Sequence, residues 1–344
     1  MSGGIAQLVA IGAQDAHIVG KPEVSFFRSS YRRHTNFAQT VEKQVIQGNP
    51  TANGMSTVRF ERKGDLVGYV YISNRAPQTL TRTQWKAQIK KVELLIGGQV
   101  IDTHTSEFSQ DIAPVMLAQS YSKSFAAAGD GTNTSQFYPL RFSFCENAQS
   151  ALPLVALQYH DVELRISWGS ATLPQSDFEV HAQFIYLDTD ERSTMAGTPQ
   201  NMLITQTQMS IASQSTIQEL NYNHPIKFIA TRKDTTIGFA DGKVKLQING
   251  TDVGDAKLAK PHYTAASLYY TTPFSSLKAS NSEHFLYPFC LDTSKLQPTG
   301  TLNFSRIDSA RLVTDIGTFD TDMYAVNYNI LRIENGMAGL MYSN

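Results

Sequence analysis

Eight histidines and two cysteines are the residues of this 344-residue chain best suited to bind a metal or attack a substrate. A zinc centre needs His, Cys or carboxylate ligands at short, regular spacing. The histidines form no His-x-x-x-His and no Glu-flanked pair. His160 and Asp161 adjoin, but neighbours in a strand point to opposite faces. Gly-x-Ser-x-Gly and Gly-x-x-x-x-Gly-Lys-Ser/Thr are both missing, so acyl transfer and nucleotide binding lack their usual marks. Cys145 and Cys290 lie in the apolar runs RFSFCENA and LYPFCLDT, which read as strands holding small buried thiols rather than nucleophiles. The expectation is a protein without catalytic residues, cofactor or metal. Asn133, Asn249 and Asn303 open Asn-x-Ser/Thr triplets. Asn249 is explained by a turn and Asn303 falls in a strand pattern expected to be inaccessible. Asn133, in a loop-like run, is the one candidate for a glycan.

One cluster mixes charge with rings: Arg28, Arg32, Arg33 and His34 beside Phe26, Phe27, Tyr31 and Phe37. Basic residues interleaved with aromatics can hold single-stranded nucleic acid. The net charge of −1 supplies no domain-wide basic excess for phosphates, so direct nucleic-acid binding is disfavoured. Contacts between subunits are the preferred reading, and the plainer one is a packed segment whose arginines pair with carboxylates or backbone carbonyls. Charged residues make up 17 % of the chain, below the usual figure of about 25 %. A charge-poor surface suits burial against neighbours. Two cysteines make no disulfide framework. The stretch IAQLVAIGA is too short to span a bilayer, and no signal peptide is expected.

The elements that must carry these residues are strands. KVELLIGGQV, from Lys91, and KVKLQINGTD, from Lys243, spell nearly the same hairpin 152 residues apart (243 − 91). Val92, Leu94 and Ile96 share a face, as do Val244, Leu246 and Ile248. Gly97-Gly98 and Asn249-Gly250 supply the positive φ that a two-residue turn needs. A second pair of landmarks follows: Cys145 precedes Pro153 by eight residues, and Cys290 precedes Pro298 by eight (153 − 145 and 298 − 290). Both runs continue through an Asp, Asp161 or Asp308, into another apolar run. The order of landmarks argues for an internal duplication with one loop shortened.

Elsewhere DLVGYVYIS alternates, with Leu66, Gly68, Val70 and Ile72 on one face and Val67, Tyr69 and Tyr71 on the other. Val162, Leu164 and Ile166 share a face. The segment after the Gly-rich start could be partly extended strand. One helix is expected in SEFSQDIAPVMLAQSY, with Ser106 as N-cap and Pro114 as a break or kink. Asp188–Asn201, polar with Gly197 and Pro199, reads as the linker. Many short strands with turn signals and almost no helix indicate sandwiches. The fold expected is all-β: two tandem eight-stranded antiparallel jelly rolls with a short helix in loops. The divisions are an N-terminal arm (1–23), a first roll (24–192) and a second roll (193–344).

Several long runs carry a resemblance. LVAIGAQDAHIVGKPEVSFFRSSYRRHTNFA (8–38), LPLVALQYHDVELRI (152–166), LQPTGTLNFSRIDSARL (296–312) and AVNYNILRIENGMAGLMYSN (325–344) resemble, in order, the signatures of major capsid proteins of nucleocytoplasmic large DNA viruses, in the algal-virus and giant-virus branches. The chain is short for that family, with the missing length expected in loops. The resemblance implies a double jelly-roll structural protein forming homotrimeric, pseudo-hexagonal capsomers that tile an icosahedral shell in a virion assembled in the host cytoplasm. The partners it implies are neighbouring capsomers, minor capsid proteins and a penton protein, with an internal membrane met only indirectly. It places the N-terminal arm, with Gln14, Asp15, Arg32, Arg33 and His34, on the shell floor. Asn327, Tyr328, Asn329 and Arg332 are expected to pack within the second roll. The alternatives are a minor capsid component of the same fold and a two-domain β-sandwich carbohydrate-binding protein, which would need a concave aromatic platform.

Overall fold

The computed structural model describes residues 3–48, 50–74, 80–120, 122–123, 134–170, 178–233, 235–273 and 283–343. The Asn133 triplet lies outside these. The chain divides into two compact units, Met1–Asn36 and Phe37–Asn344. In the first, an α-helix spans Gly3–Val9 and a 3₁₀ turn spans Ala13–His17. Phe26 and Phe27 sit in a turn rather than a strand, and regular pairing starts only at Phe37.

The second unit carries the strands. Its first half holds β1 (Phe37–Gln44), β2 (Ile46–Gln47), β3 (Met55–Arg59), β4 (Leu66–Asn74), β5 (Leu80–Thr81), β6 (Ile89–Ile96), β7 (Gln99–Thr105), β8 (Thr134–Ser135), β9 (Phe137–Pro139), β10 (Leu152–Pro153), β11 (Val162–Trp168) and β12 (Phe178–Leu187). Its second half holds β13 (Gln200–Ser210), β14 (Ile217–Glu219), β15 (Pro225–Lys233), β16 (Lys243–Ile248), β17 (Thr251–Asp252), β18 (Lys257–Leu258), β19 (Glu283–Pro288), β20 (Leu302–Asn303), β21 (Ala310–Thr314), β22 (Met323–Glu334) and β23 (Met337–Leu340).

Pairing repeats between the halves. One sheet runs β1-β12-β4, with β9 and β10 sharing the next position. Its counterpart runs β13-β22-β15, with β19 and β20 sharing the next. The facing sheets run β3-β11-β6-β7 and β14-β21-β16-β17. All these pairs are antiparallel. Two sandwiches of identical strand order, four positions per sheet, form the double jelly roll.

Both repeated hairpins turn as their sequences require. Gly97 and Gly98 have φ of 57° and 82°, and Asn249 and Gly250 have 49° and 79°. These are type I′ turns, whose twist matches that of the flanking strands. Asn249 Oδ1 also accepts from the backbone N–H of Asp308 and Ser309. In register, Val162 pairs with Ile96 and Ala310 with Ile248. The counterpart of Asp161 is therefore Ser309, one residue beyond the Asp308 landmark.

Several expectations shift. In β4 the face assignment fails midway. A bulge opposes Gly68 and Tyr69 to Gln183, so Val67 joins Val70 and Ile72 in the core while Tyr69 turns outward. At Gly68 the Gln183 amide fills the space a Cβ would take, with its Oε1 2.3 Å from that point. Neither cysteine is in a strand: Cys145 sits in the short helix Ser143–Glu146 and Cys290 in the turn after β19. The Asp188–Asn201 linker is mostly the helix Thr189–Gly197, with the Asp188 carboxylate accepting from Thr189 N–H. Asn303 is exposed at the end of β20, where its side chain accepts from Ser305 N–H.

The expected helix exists but is π-helical over Phe108–Ile112 and α-helical over Ala113–Met116. Thr105, not Ser106, accepts the hydrogen bond from Phe108 N–H. The wide turn delivers Pro114 to the first positions of the α-helical part, where a missing N–H costs little. The second half repeats this device after its own hairpin, with a π-helix Ala259–Ala266 leading into an α-helix Ser267–Thr271. The two are called here the seam helix and the outer helix.

Candidate assembly surfaces

The two rolls are joined by a seam built around the seam helix, which the sequence placed but did not show to be buried on all sides. Every residue from Phe108 to Met116 is buried. Phe108, Ile112 and Met116 pack with Phe228 and Ala230 of β15, Leu286 of β19, and Tyr324 and Val326 of β22. Asp111 adds charge to the contact. Its carboxylate lies 2.7 Å from Lys86 Nζ, 3.2 Å from Arg82 Nε and 2.8 Å from Arg232 Nη1 in β15. The Asp111 carbonyl lies 3.2 Å from His284 Nε2 in β19. One carboxylate from the first roll thus neutralises cations of both. Beside it, Asp102 Oδ1 accepts from Thr207 N–H while Asp102 Oδ2 lies 2.8 Å from His104 Nε2.

The C-terminal strand extends the seam. Asn327 and Asn329 are buried and both donate to Gln206 Oε1, whose own amide donates to Ile101 O in the first roll. Tyr328 lies beneath Lys227 Nζ at 5.2 Å. Arg332 is exposed and paired with Glu334 at 2.6 Å. Its neighbours Leu331 and Ile333, with Ala338, pack into the core of the first roll. The C-terminal run therefore bridges the two rolls instead of belonging to the second alone.

Among the described residues, the matching sheet face of the first roll is only partly covered. A groove of about 880 Å³ on the outer side of β4 and β9 is lined by Tyr69, Tyr71, Phe137, Pro139, Phe144 and Gln183, among others. Tyr71 stacks on His181 with centroids 5.1 Å apart and meets Phe137 edge-on at 5.9 Å. Burial raises the Tyr71 hydroxyl above its ordinary value, with Tyr69 adding to it. The Cys145 thiol at the groove floor is also raised by burial, so it is an inert thiol rather than a nucleophile. Tyr69 and Phe137 remain 42 % and 38 % exposed. An aromatic floor with few charges suits contact with another apolar surface. On the second roll, Tyr269 and Tyr270 of the outer helix are 81 % and 79 % exposed. The adjacent tyrosines in SLYYT were the sequence signal for this surface, and it was overlooked.

In the unit Met1–Asn36, Gln14 and Asp15 sit in the 3₁₀ turn, where the Asp15 carboxylate accepts from Gly12 N–H at 2.7 Å. Arg32, Arg33 and His34 lie in the exposed, irregular segment that follows, and the His34 ring Nδ1 is 2.7 Å from Thr35 O. Among the described residues no carboxylate lies within ion-pair distance of Arg28, Arg32 or Arg33. Phe26, Phe27 and Tyr31 are 91 %, 101 % and 85 % exposed. Among the described residues no group of three His, Cys, Asp or Glu could hold a metal, and no helix is long and apolar enough to cross a membrane.

Two tandem jelly rolls fused through a buried helix define the class of double jelly-roll capsid proteins. The comparisons with known proteins give the family. Residues 25–219 match the model for the N-terminus of major capsid proteins, and residues 191–339 match that for the major capsid protein of large eukaryotic DNA viruses. The chain belongs to this family of viral major capsid proteins. It is 33 % identical to the major capsid protein of Pyramimonas orientalis virus and 29 % identical to that of Paramecium bursaria Chlorella virus 1, with full coverage of both chains in each case. The first alignment spans 399 residues, so at least 55 positions (399 − 344) have no counterpart here. Among solved structures it is similar to PBCV-1 VP54, with a TM-score of 0.77 at 26 % identity, covering 93 % of this chain and 100 % of that one. The Faustovirus major capsid protein, 10 % identical with a TM-score of 0.68, shares the fold.

Proposed function

We propose that this chain is the principal building block of an icosahedral shell, assembling as homotrimers that tile as near-hexagonal capsomers. The observation that carries the reading is the duplication itself. Two rolls of identical strand order, held by one buried helix, give three chains six similar faces. A trimer of such chains has the outline of a hexagon while its symmetry is three-fold, so it can repeat on a hexagonal lattice. The role is structural, in the virion capsid, with no catalytic step. Division into an arm, a first roll and a second roll near residue 192 is part of the same proposal.

The bare segment bearing Arg32, Arg33 and His34, with Gln14 and Asp15 in the preceding 3₁₀ turn, is assigned to contacts at the shell floor. Minor capsid proteins are the partners there, and a penton protein fills the five-fold positions. Exposed rings beside unpaired guanidinium groups suit a protein partner, because Arg and aromatics are enriched in interface cores. Membrane contact is indirect, nucleic acid is not touched, and assembly takes place in the host cytoplasm.

The test is the mass of the purified full chain by light scattering after size exclusion. The expected result is a species of three times 38.1 kDa that persists on dilution and forms hexagonal arrays under the electron microscope. A monomer at every concentration would refute the reading.

A further inference from the structure

We infer that Thr35 is a phosphorylation site, modified by a basophilic protein kinase that reads Arg32 and Arg33. Such a kinase needs a hydroxyl, basic side chains at fixed positions ahead of it, and a backbone free to lie across the active-site cleft. Adjacent basic pairs occur in this chain at 32–33, 62–63, 90–91 and 232–233. Two residues after these pairs stand Thr35, Asp65, Glu93 and Thr235 respectively. Arg32-Arg33-His34-Thr35 and Arg232-Lys233-Asp234-Thr235 therefore place a hydroxyl where the kinase requires it, and the other two pairs do not.

The structure separates the two candidates. The Arg232 side chain is 3 % exposed and lies 2.8 Å from the Asp111 carboxylate, inside the seam. Lys233 is paired with Asp320. Both cations belong to β15, where they pair in register with His284 and Glu283 of β19. A kinase could engage Arg232 only by opening the seam. Around Thr35 the conditions are reversed. Residues 29–36 are exposed and belong to no helix or strand, and regular pairing begins at Phe37. The His34 ring Nδ1 meets the Thr35 carbonyl oxygen at 2.7 Å, a contact that leaves the hydroxyl free. Among the described residues no carboxylate lies within ion-pair distance of Arg32 or Arg33, so both guanidinium groups are open to the carboxylates of a kinase cleft.

In the transfer, Thr35 Oγ1 attacks the γ-phosphorus of Mg-ATP. The new Oγ1–P bond replaces the bond from that phosphorus to the β–γ bridging oxygen, ADP leaves with the electron pair, and the hydroxyl proton passes to a carboxylate of the kinase. The phosphate carries about −1.5 to −2 charges at neutral pH. Residues 1–36 hold Lys21, Arg28, Arg32 and Arg33 against Asp15 and Glu23, a formal side-chain charge of +2 (4 − 2). One phosphate cancels that charge and gives Arg32 and Arg33 an anion within their own segment. Under the shell-floor reading above, Thr35 is thus a charge switch on that contact, whereas the modification itself does not depend on that reading.

The test incubates the folded full chain with Mg-ATP and the catalytic subunit of cyclic-AMP-dependent protein kinase, a kinase that selects basic residues at these positions, and maps the product by peptide mass spectrometry. The expected product carries its phosphate on Thr35, with Thr235 unmodified, and Thr35→Ala abolishes that incorporation. Arg32→Ala/Arg33→Ala keeps the hydroxyl and should lower kcat/KM for the transfer at least about 30-fold, the loss that follows truncation of one side of an interfacial charge pair. Because all three side chains are exposed and lie outside regular elements, the melting temperature of each variant should match that of wild type. A folded chain that takes up no phosphate, or takes it up only at other residues, overturns the inference and leaves the shell-floor reading standing. Transfer to Thr35 at an unchanged rate in the arginine variant also overturns it, because the recognition assigned to Arg32 and Arg33 would be wrong.

Discussion

Replacing Asp111 by Asn should cost this protein about 3–4 kcal/mol of stability, and should do so by loosening the seam rather than either core. The carboxylate is 8 % exposed and meets three cations: Arg232 at 2.8 Å, Lys86 at 2.7 Å and Arg82 at 3.2 Å. These three differ in their access to water. The side chains of Lys86 and Arg82 are 21 % and 13 % exposed and can swing outward, whereas that of Arg232 is 3 % exposed and cannot. Removing one partner of a buried pair typically costs about 3–5 kcal/mol, because an unpaired charge is left in the interior. Rehydration of two of the three cations places the expectation at the lower end of that range. Asn keeps the shape, so the loss reports charge and not a cavity. The assay is urea unfolding followed by two signals. Both tryptophans, Trp85 and Trp168, lie in the first roll, so their fluorescence follows that roll, while far-UV circular dichroism follows both. Wild type should show coincident transitions, and Asp111→Asn should separate them, as expected when the coupling between units is weakened. Adding Arg232→Met should restore part of the loss, a coupling that a double-mutant cycle measures. A loss below about 1 kcal/mol with transitions still coincident would mean that the other contacts of Arg232 compensate its charge without Asp111, and the account of the seam would be wrong.

Two other perturbations follow from single residues. Lys227 is fully enclosed, donates to the carbonyls of Thr293 and Lys295, and is pushed down to about 8 by burial. Its unfolded value is higher, so the unfolded chain binds more protons between the two values and stability should rise with pH there. Relative to Lys227→Met, the wild type should gain about 2 kcal/mol from pH 7 to pH 10, read as a difference in thermal midpoints, while the Cys145 and Cys290 thiols, raised by burial, lower the stability of both proteins over the same range. Above pH 10 buried tyrosines such as Tyr222 and Tyr324, whose hydroxyls are raised by burial, oppose the trend. At the first hairpin, Gly97→Ala should cost about 2 kcal/mol or more, since φ is +57° and a Cβ would lie 2.5–2.8 Å from the His160 ring. Gly98→Asn, with open space around the same point, should cost well under half of that by thermal melt.

Much of the architecture was legible because it is written in short-range signals. The hairpins announce themselves through Gly97-Gly98 and Asn249-Gly250, and alternation in Val162–Trp168 matches its burial residue by residue. Signals of longer range were not legible. The bulge opposite Gln183 changes which residues of Leu66–Asn74 face inward, and nothing in that segment alone encodes its partner's register. The π-helical turn was hidden because the pattern around Pro114 is compatible with a break. The candidate surfaces were harder still. Tyr69 and Tyr71 read as one face of a strand, yet the strand's own sequence does not say what packs against that face.

The divergence between the two halves follows from when each face is covered. The face on the second roll is covered by its own chain as folding completes, and it never meets water in the folded state. It can therefore be apolar, with Phe228, Ala230, Leu286 and Val326, and can hold a buried charge cluster whose partners are always present. The face on the first roll, where Tyr69, Tyr71, His181 and Gln183 stand in register with Phe228, Ala230, Tyr324 and Val326, stays partly exposed in the single chain. A patch of Phe, Ala, Leu and Val left open would promote indiscriminate association. Tyr69, Tyr71, His181 and Gln183 occupy the corresponding positions, side chains that offer ring surface for packing and a polar group to water. The same reasoning explains why the Asp111 cluster has no copy there: Arg232 and His284 correspond in register to Ser73 and Phe137. A buried ion pair is costly to desolvate at each encounter, whereas tyrosine pairs bind and release with less penalty. A contact formed once within a folding chain can carry the buried charge, and a face that meets water in the folded chain favours the tyrosines.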